Sequence, residues 1–177
     1  TVFNTKQVDF DGTDDYLDCG TDSSLNPSTT ITLSAWVKPD SLANYQYIIN
    51  RAETYNGAYR LEIGNDVLYA AFGNNTTQIN AQGDHNMIVG NWYHIVVTYN
   101  GSTIKSYVNN IEIASTSGAI TMYQDTGVST LIGSPNSLGG GLFFDGDISQ
   151  VGIWNSALTS DEVSSLYNHG LPIDLTT

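Results

Sequence analysis

The sequence predicts an all-β fold, a two-sheet antiparallel β-sandwich of the jelly-roll type with one short C-terminal helix. Three observations indicate this fold. Short runs rich in β-branched and aromatic residues recur along the chain, turn residues separate these runs, and only one segment carries helix signals. The 177 residues contain neither a linker nor an internal repeat, so we expect residues 1–177 to form a single domain.

The strands of the first half are predicted from apolar alternation. Residues 30–38 alternate so that one face carries Ile31, Leu33, Ala35 and Val37. Residues 46–50 form a second apolar run, and residues 58–63 form a third. The turn Gly64-Asn65-Asp66 connects this third run to residues 67–72, and the pair is predicted to be a hairpin.

The second half contains the strongest strand signal of the chain, at residues 91–99, where β-branched and aromatic side chains predominate. Asn100-Gly101 follows, and this dipeptide favours the positive φ angles of a type I′ turn. Further strands are predicted at residues 103–108, 111–114, 129–133 and 147–154.

The single helix is predicted to begin at a capping box formed by Thr159 and Glu162. In a capping box the threonine side chain accepts from the third backbone amide, while the glutamate reaches back to the cap. Val163 and Leu166 then give one apolar face, and Gly170 is a natural stop.

The chain is strongly acidic, since eighteen acidic residues face five basic ones and the net charge is −13. Such a surface repels nucleic acid and anionic lipid, so we expect neither partner. No apolar run approaches the roughly 18 to 20 residues of a membrane span, so we expect no membrane insertion. Abundant Asn, Ser, Thr, Gly and Tyr are typical of extracellular and virion-surface or cell-surface β proteins.

Four segments, in order along the chain, resemble the concanavalin A-like, laminin-G-like jelly-roll superfamily of lectins and glucanases. They are VDFDGTDDYL at 8–17, ITLSAWVKP at 31–39, NWYHIVVTYNG at 91–101 and FDGDISQVGIWNSALT at 144–159. The resemblance implies two packed antiparallel sheets and neighbouring chain termini. It also implies a binding module, often for carbohydrate, although glycosidases, lyases and structural domains share this scaffold.

Two positions depart from the pattern of this family. An acidic residue often follows the isoleucine of the closing strand, where this chain has Ser149, and this departure argues against a calcium site carried over from the family. A glycine usually stands where this chain has Asn110. The second departure is compatible with the turn, because asparagine tolerates the left-handed conformation.

Acidic residues cluster in two turns near the ends of the chain, at Asp11, Asp14, Asp15 and Asp18 and at Asp145 and Asp147. Calcium takes six to eight hard oxygen ligands, and two such turns on adjacent strands could supply them. We predict Asp11, Asp15, Asp145 and Asp147 as ligands of a structural Ca²⁺ ion. The alternative is that these residues only form turns and face water.

Aromatic residues are abundant, with eleven tyrosines and three tryptophans. Proteins bind sugars by stacking them on aromatic faces and by hydrogen bonding their hydroxyls with amides and carboxylates. Tyrosines concentrate around the loop at residues 44–56, and polar side chains crowd the following segments. We therefore predict a ligand site formed by Tyr45, Tyr47, Arg51, Tyr55, Asn75 and His85.

The sequence gives no support for catalysis. Glycosidases of this fold need two carboxylates that flank the scissile bond, usually as Glu-x-Asp-x-x-Glu, and no glutamate here has that spacing. We interpret His94 as a half-buried strand residue that is hydrogen-bonded to the backbone.

The leading hypothesis is a non-catalytic carbohydrate-binding or adhesion module of an extracellular or particle-surface protein. The alternative is a structural decoration or attachment domain on a virion or cell surface, whose partner is a surface protein rather than a glycan. A third hypothesis, an enzyme of the same fold, would require two carboxylates in one cleft.

Overall fold

The computed structural model describes residues 6–124, 126–136 and 142–170, and its fold is the predicted all-β sandwich. In chain order the strands are β1 (Val8–Asp11), β2 (Leu17–Asp18), β3 (Ile31–Pro39), β4 (Gln46–Arg51), β5 (Tyr59–Gly64), β6 (Val67–Gly73), β7 (Gln78–Asp84), β8 (Tyr93–Tyr99), β9 (Thr103–Val108), β10 (Ile111–Ser117), β11 (Leu131–Ile132) and β12 (Asp145–Trp154). Helix α1 spans Ser160–Tyr167, and short 3₁₀ turns span Ser23–Leu25 and Asn168–Gly170.

Two antiparallel sheets form the sandwich. Sheet I has the strand order β1-β12-β3-β8-β9-β10, and sheet II has the order β2-β11-β4-β5-β6-β7. The first and last strands are neighbours, because Phe10 pairs with Gly146 and Asp11 pairs with Asp145. These pairs bring together two Phe-Asp-Gly turns, Phe10-Asp11-Gly12 and Phe144-Asp145-Gly146.

The core between the sheets follows from the alternation of the strands. The predicted inner residues of β3, from Ile31 to Val37, are fully buried, and Tyr59, Leu61 and Ile63 of β5 meet them in one apolar cluster. The rings of Phe10 and Phe144 pack edge to face at 6.1 Å and join the β1–β12 seam to this cluster.

Helix α1 covers part of the outer face of sheet I. Val163 is fully buried against Val96 and Tyr107, and the Tyr167 ring stacks at 6.1 Å on Trp36. The capping box at Thr159 and Glu162 is present as predicted. None of the described helices has the length and apolarity that a membrane span requires.

Sequence reasoning missed one long strand and assigned one turn incorrectly. No strand is predicted at residues 78–84, but they form β7, the edge strand of sheet II, most of whose residues are partly buried or exposed. The type I′ turn expected at Asn100-Gly101 is wrong, because only Gly101 has a positive φ. The Asn100 side chain instead accepts from the amides of Ser102 and Thr103.

The C-terminal cap of helix α1 also differs from the prediction. Asn168 takes the left-handed conformation and caps the helix, two residues before Gly170. The Asn109-Asn110 turn has positive φ at both residues, in agreement with the tolerance argued for Asn110.

Candidate functional site

A groove of about 580 Å³ lies on the outer face of sheet II, and we call it the sheet II groove. Its size falls within the range of small-molecule sites. Its lining residues are Asn44, Tyr45, Tyr47, Tyr55, Arg60, Glu62, Asn65, Tyr69, Gln82 and Leu142.

The floor of the groove is a row of side chains that crosses four neighbouring strands. Tyr47 of β4 pairs with Glu62 of β5, Glu62 pairs with Tyr69 of β6, and Tyr69 pairs with Gln82 of β7. Residues directly opposite one another in antiparallel strands project from the same face, with Cβ atoms about 4.5–5.5 Å apart. The register of sheet II therefore produces an alternating aromatic and polar row.

Arg60 lies beneath the tyrosines and holds them in place. Its guanidinium carbon is 4.2 Å from the centre of the Tyr55 ring and 5.3 Å from that of Tyr69. Nη1 donates to the carbonyl of Tyr55, and Nη2 donates to Tyr69 Oη at 3.3 Å and to Gln78 Oε1 at 3.0 Å. Arg60 is 2% exposed, so its role is to position the aromatic rings.

Glu62 is the carboxylate of the groove floor. Its Oε1 lies 2.6 Å from Arg60 Nε, but neither atom has a partner in hydrogen-bond geometry, so the contact is an ion pair without a directed hydrogen bond. Burial raises the pKa of Glu62, and the Arg60 charge opposes this rise. The part of the Glu62 carboxylate that remains exposed in the groove can accept a hydrogen bond from a ligand hydroxyl.

Tyr47 and Tyr69 remain neutral phenols over the physiological range. Burial raises the pKa of Tyr47 and of Tyr69 to about 12. Hydrogen bonding to Tyr69 and Gln78 lowers the pKa of Tyr55. Tyr55 is 62% exposed, and because Arg60 contacts its ring, it presents a supported aromatic surface at the groove.

The structure brings together three of the six residues predicted to bind a ligand. Tyr45, Tyr47 and Tyr55 all line the sheet II groove, and the Tyr45 ring meets the Tyr69 ring edge to face at 6.3 Å. Arg51 and Asn75 instead line a separate pocket of about 150 Å³.

Arg51 and His85 are buried and lie outside the groove. Arg51 is 1% exposed and donates to Thr130 Oγ1 at 3.1 Å. His85 is 2% exposed, and its Nδ1 accepts from the Met87 amide at 2.9 Å. Burial lowers the pKa of His85. Both side chains contact protein groups, and neither lines the sheet II groove.

Sequence reasoning missed the strand residues of the groove, namely Arg60, Glu62, Tyr69 and Gln82. One signal could have found two of them. The inward residues Tyr59, Leu61 and Ile63 alternate with Arg60 and Glu62, so period-2 alternation places this basic and acidic pair on the outer face of β5. The ligand residues predicted from the sequence instead centre on the loop at residues 44–56, because binding residues are frequent in loops.

The predicted metal ligands fall into two groups. The acidic turn, which we define as Asp11, Asp14 and Asp15, brings carboxylate oxygens within 4.8 Å of one another. Asp15 Oδ2 accepts from the Asp11 amide at 3.1 Å, and Asp11 Oδ1 accepts from the Thr13 amide at 2.8 Å. Each carboxylate retains further acceptor capacity for a cation.

Asp145 lies beside the acidic turn, whereas Asp147 has other partners. Asp145 pairs with Asp11 across the β1–β12 seam, and its pKa is raised by burial and then by the charges of Asp40, Asp11 and Asp9. Asp147 is 5% exposed, forms an ion pair with Lys38 and accepts from Gln7 Nε2 at 2.8 Å.

A β-sandwich with an aromatic, hydrogen-bonding groove across one sheet belongs to the structural class of lectin-like β-sandwiches. The chain is a member of the concanavalin A-like lectin/glucanases superfamily, since a laminin G family model with that description matches residues 11–164. The resemblance drawn from the four sequence segments is thereby confirmed. No curated protein sequence matches this chain.

Solved structures share the fold at low sequence identity. A heptameric SAP-like pentraxin from Limulus polyphemus has a TM-score of 0.70 and 20% identity, covering 90% of this chain and 80% of its own. Domain 4 of AbnA, an extracellular arabinanase of Geobacillus stearothermophilus in complex with arabinotriose, has a TM-score of 0.63 and 22% identity. The match covers 81% of this chain and 68% of that one.

A third similar structure is the CBM40 of a Ruminococcus gnavus IT-sialidase, bound to α2,3-sialyllactose. Its TM-score is 0.72 at 13% identity, and the match covers 91% of this chain and 97% of that one. Two further similar chains are longer, since the match covers 45% of each. At these identities the likeness shows the fold alone.

Proposed function

We propose that this domain is a non-catalytic carbohydrate-binding module of an extracellular protein and that the sheet II groove holds the glycan. The observation that carries the proposal is the row Tyr47–Glu62–Tyr69–Gln82 across four strands, flanked by Tyr45 and Tyr55. Such a surface offers aromatic faces for the apolar face of a sugar ring. It also offers amide and carboxylate oxygens for the sugar hydroxyls.

The similar structures support this proposal, because one is bound to sialyllactose and another is in complex with arabinotriose. The chemistry of the lining also favours binding over hydrolysis. Two-carboxylate glycosidases need a pair of acidic residues, and Glu62 is the one acidic residue among the described lining residues.

Removal of the exposed platform should weaken binding. We expect Tyr55→Ala to lower the affinity for the best glycan roughly three- to tenfold, since an aromatic contact is worth about 0.5–1.5 kcal/mol. Tyr16→Ala is the matched control, because Tyr16 is also an exposed tyrosine, at 53%, and it does not line the groove. A glycan array followed by calorimetric titration measures both variants.

Two results would contradict the proposal. One is a folded wild-type protein that binds no glycan on a broad array. The other is an equal loss of affinity in the Tyr55 and Tyr16 variants, which would show that the glycan does not bind in the sheet II groove.

We also propose that the acidic turn, together with Asp145, binds a structural Ca²⁺ ion. The close carboxylates of Asp11 and Asp15 and the raised pKa of Asp145 mark a site where a cation would offset negative charge. Asp147 is left out of this ligand set because Lys38 already neutralises it. The ion would brace the β1–β12 seam rather than touch the glycan.

Thermal unfolding tests the calcium proposal. A ligand at a hundred times its dissociation constant stabilises a protein by about 2.7 kcal/mol, so millimolar Ca²⁺ should raise the Tm by about 5–10 °C above that in EDTA. Asp15→Asn should abolish the difference, and Asp66→Asn, which alters an exposed turn of sheet II, should preserve it. Equal melting temperatures of the wild type in Ca²⁺ and EDTA would refute the site.

A further inference from the structure

The charge of the sheet II groove is balanced within the protein. Of its ten lining residues, which all belong to the described part of the chain, Arg60 and Glu62 carry the charges, and the other eight are neutral. The two charged groups contact each other at 2.6 Å. The groove therefore offers a ligand no net positive charge, and the chain as a whole carries a net charge of −13.

Every nitrogen of Arg60 faces a protein group, and two aromatic rings flank its guanidinium. Nε faces Glu62, Nη1 faces the Tyr55 carbonyl, and Nη2 faces Tyr69 and Gln78. With 2% of its surface exposed, it has no open edge for the bidentate contact by which arginine recognises a carboxylate. A ligand carboxylate would have to displace Glu62 to reach this cation.

Glu62 adds a second barrier to anionic ligands. Its side chain is 9% exposed, and its Oε1 is buried against Arg60 Nε, so a ligand can reach only the exposed part of the carboxylate. A sugar hydroxyl can donate to the carboxylate there and form a charge-assisted hydrogen bond. A sugar carboxylate can only accept, so it gains no hydrogen bond from Glu62 and meets a like charge, while the Arg60 cation is already paired.

We propose that the sheet II groove selects neutral glycans and discriminates against sialylated and uronate glycans, with the Glu62 carboxylate as the residue that sets this selectivity. The inference rests on the proposed function, because it assumes that the groove is the glycan site. Glu62 acts in two ways: it accepts from a hydroxyl of the neutral sugar, and it neutralises Arg60, which would otherwise attract acidic sugars.

Matched pairs of glycans test the selectivity directly on the wild-type protein. The neutral probes are lactose, arabinotriose, and xylo-, manno- and cello-oligosaccharides, and the anionic probes are 3′-sialyllactose and oligogalacturonates. We expect binding within the neutral set and at least about tenfold weaker binding of each anionic probe, the loss expected when a carboxylate meets a buried like charge. The comparison is made at low and at physiological salt. Salt screens the long-range field of the acidic protein but has little effect on the nearby, buried charge of Glu62, so a preference that persists at physiological salt points to Glu62.

The Glu62→Gln variant assigns the effect to this residue. Glutamine keeps the size and the carbonyl acceptor but removes the charge, so affinity for the neutral glycan should fall roughly three- to tenfold. Binding of 3′-sialyllactose or oligogalacturonate relative to the neutral probes should rise, because Arg60 loses its counter-ion. Glu112→Gln is the matched control, since Glu112 also forms an ion pair, with Lys105 at 2.8 Å, but lies on β10 of the other sheet.

The possible outcomes separate this inference from the proposed function. Preference of the wild type for sialylated or uronate probes would overturn the inference and leave a glycan-binding groove in place. Binding to no glycan would overturn the proposed function, and the inference with it. A Glu62→Gln variant that folds and keeps the wild-type preference would also refute the assignment to Glu62.

Discussion

His94 lies on the outer face of sheet I beneath helix α1. Its ring stacks on Trp36 at 5.1 Å and on Tyr167 at 6.0 Å, and its Nε2 is 2.9 Å from Ser34 Oγ. The expectation of a half-buried residue bonded to backbone is wrong for the side chain, because His94 is 2% exposed and its ring bonds a serine hydroxyl. The rings of Trp36 and Tyr167 shield the imidazole from water, and its Nδ1 has no hydrogen-bond partner.

This environment makes the stability of the fold sensitive to acid. Burial lowers the pKa of His94 to about 4, below its ordinary value of 6.5, so the unfolded chain binds this proton first as the pH falls. The contribution of His94 to stability is therefore complete above pH 6.5, and it declines between pH 6.5 and 4 by about 3 kcal/mol.

Urea unfolding at several pH values measures this loss. The His94→Gln variant should lose less stability than the wild type over the same interval, since glutamine does not titrate. The difference between the two curves isolates His94 from the carboxylates that also titrate in acid. Parallel curves from pH 7 to 4 would show that His94 is not the source of acid sensitivity.

The seam between β1 and β12 depends on a close approach that only glycine permits. Gly12 has a φ of +71°, and a Cβ atom at this position would lie 2.9 Å from the Cβ of Asp145. Its amide donates to the Phe144 carbonyl at 3.0 Å, which connects the two Phe-Asp-Gly turns. Both the backbone conformation and the available space therefore require glycine here.

We expect Gly12→Ala to destabilise the domain by about 2–3 kcal/mol, because backbone strain and a side-chain clash add together. Gly20→Ala is the matched control. Gly20 has a similar φ of +77°, but nothing lies within 4 Å of a Cβ added there, so this variant should show the cost of backbone strain alone, about 1–2 kcal/mol. Equal losses of unfolding free energy in the two variants would show that Asp145 can shift to accommodate the added Cβ atom.

The strands show which patterns can be predicted from sequence. β3 and β5 alternate strictly, and their inner residues pack in the core as expected. β7 was missed because six of its seven residues, from Gln78 to Asp84, are only partly buried or exposed, so it lacks an apolar alternation. Edge strands gain their structure mainly from pairing with a neighbour, and β7 pairs with β6 along its whole length.

Across the whole molecule the two outer faces differ in what covers them. Helix α1 packs on sheet I through Val163 and Tyr167, whereas tyrosines and polar side chains line the groove on sheet II. The proposed calcium site lies on the β1–β12 seam of sheet I, so the two proposed sites belong to different sheets. This separation allows the metal and glycan proposals to be tested independently.

The sequence by itself determined the sandwich, its core and the proximity of the first and last strands. Period-2 alternation, turn dipeptides and the capping box are local signals, and their physical effect is decided within a few residues. Tyr45, Tyr47 and Tyr55 of the groove could also be predicted, because tyrosines cluster around one segment of the chain.

Only the tertiary structure decided how the groove is completed. Tyr47 and Gln82 belong to one row only because the register of three strand pairs aligns β4, β5, β6 and β7. The same register buries Arg60 between two tyrosine rings and places Glu62 beside it. A strand's register depends on its partners rather than on its own residues, so the sequence could indicate tyrosines of the proposed glycan site but not the carboxylate proposed to set its selectivity.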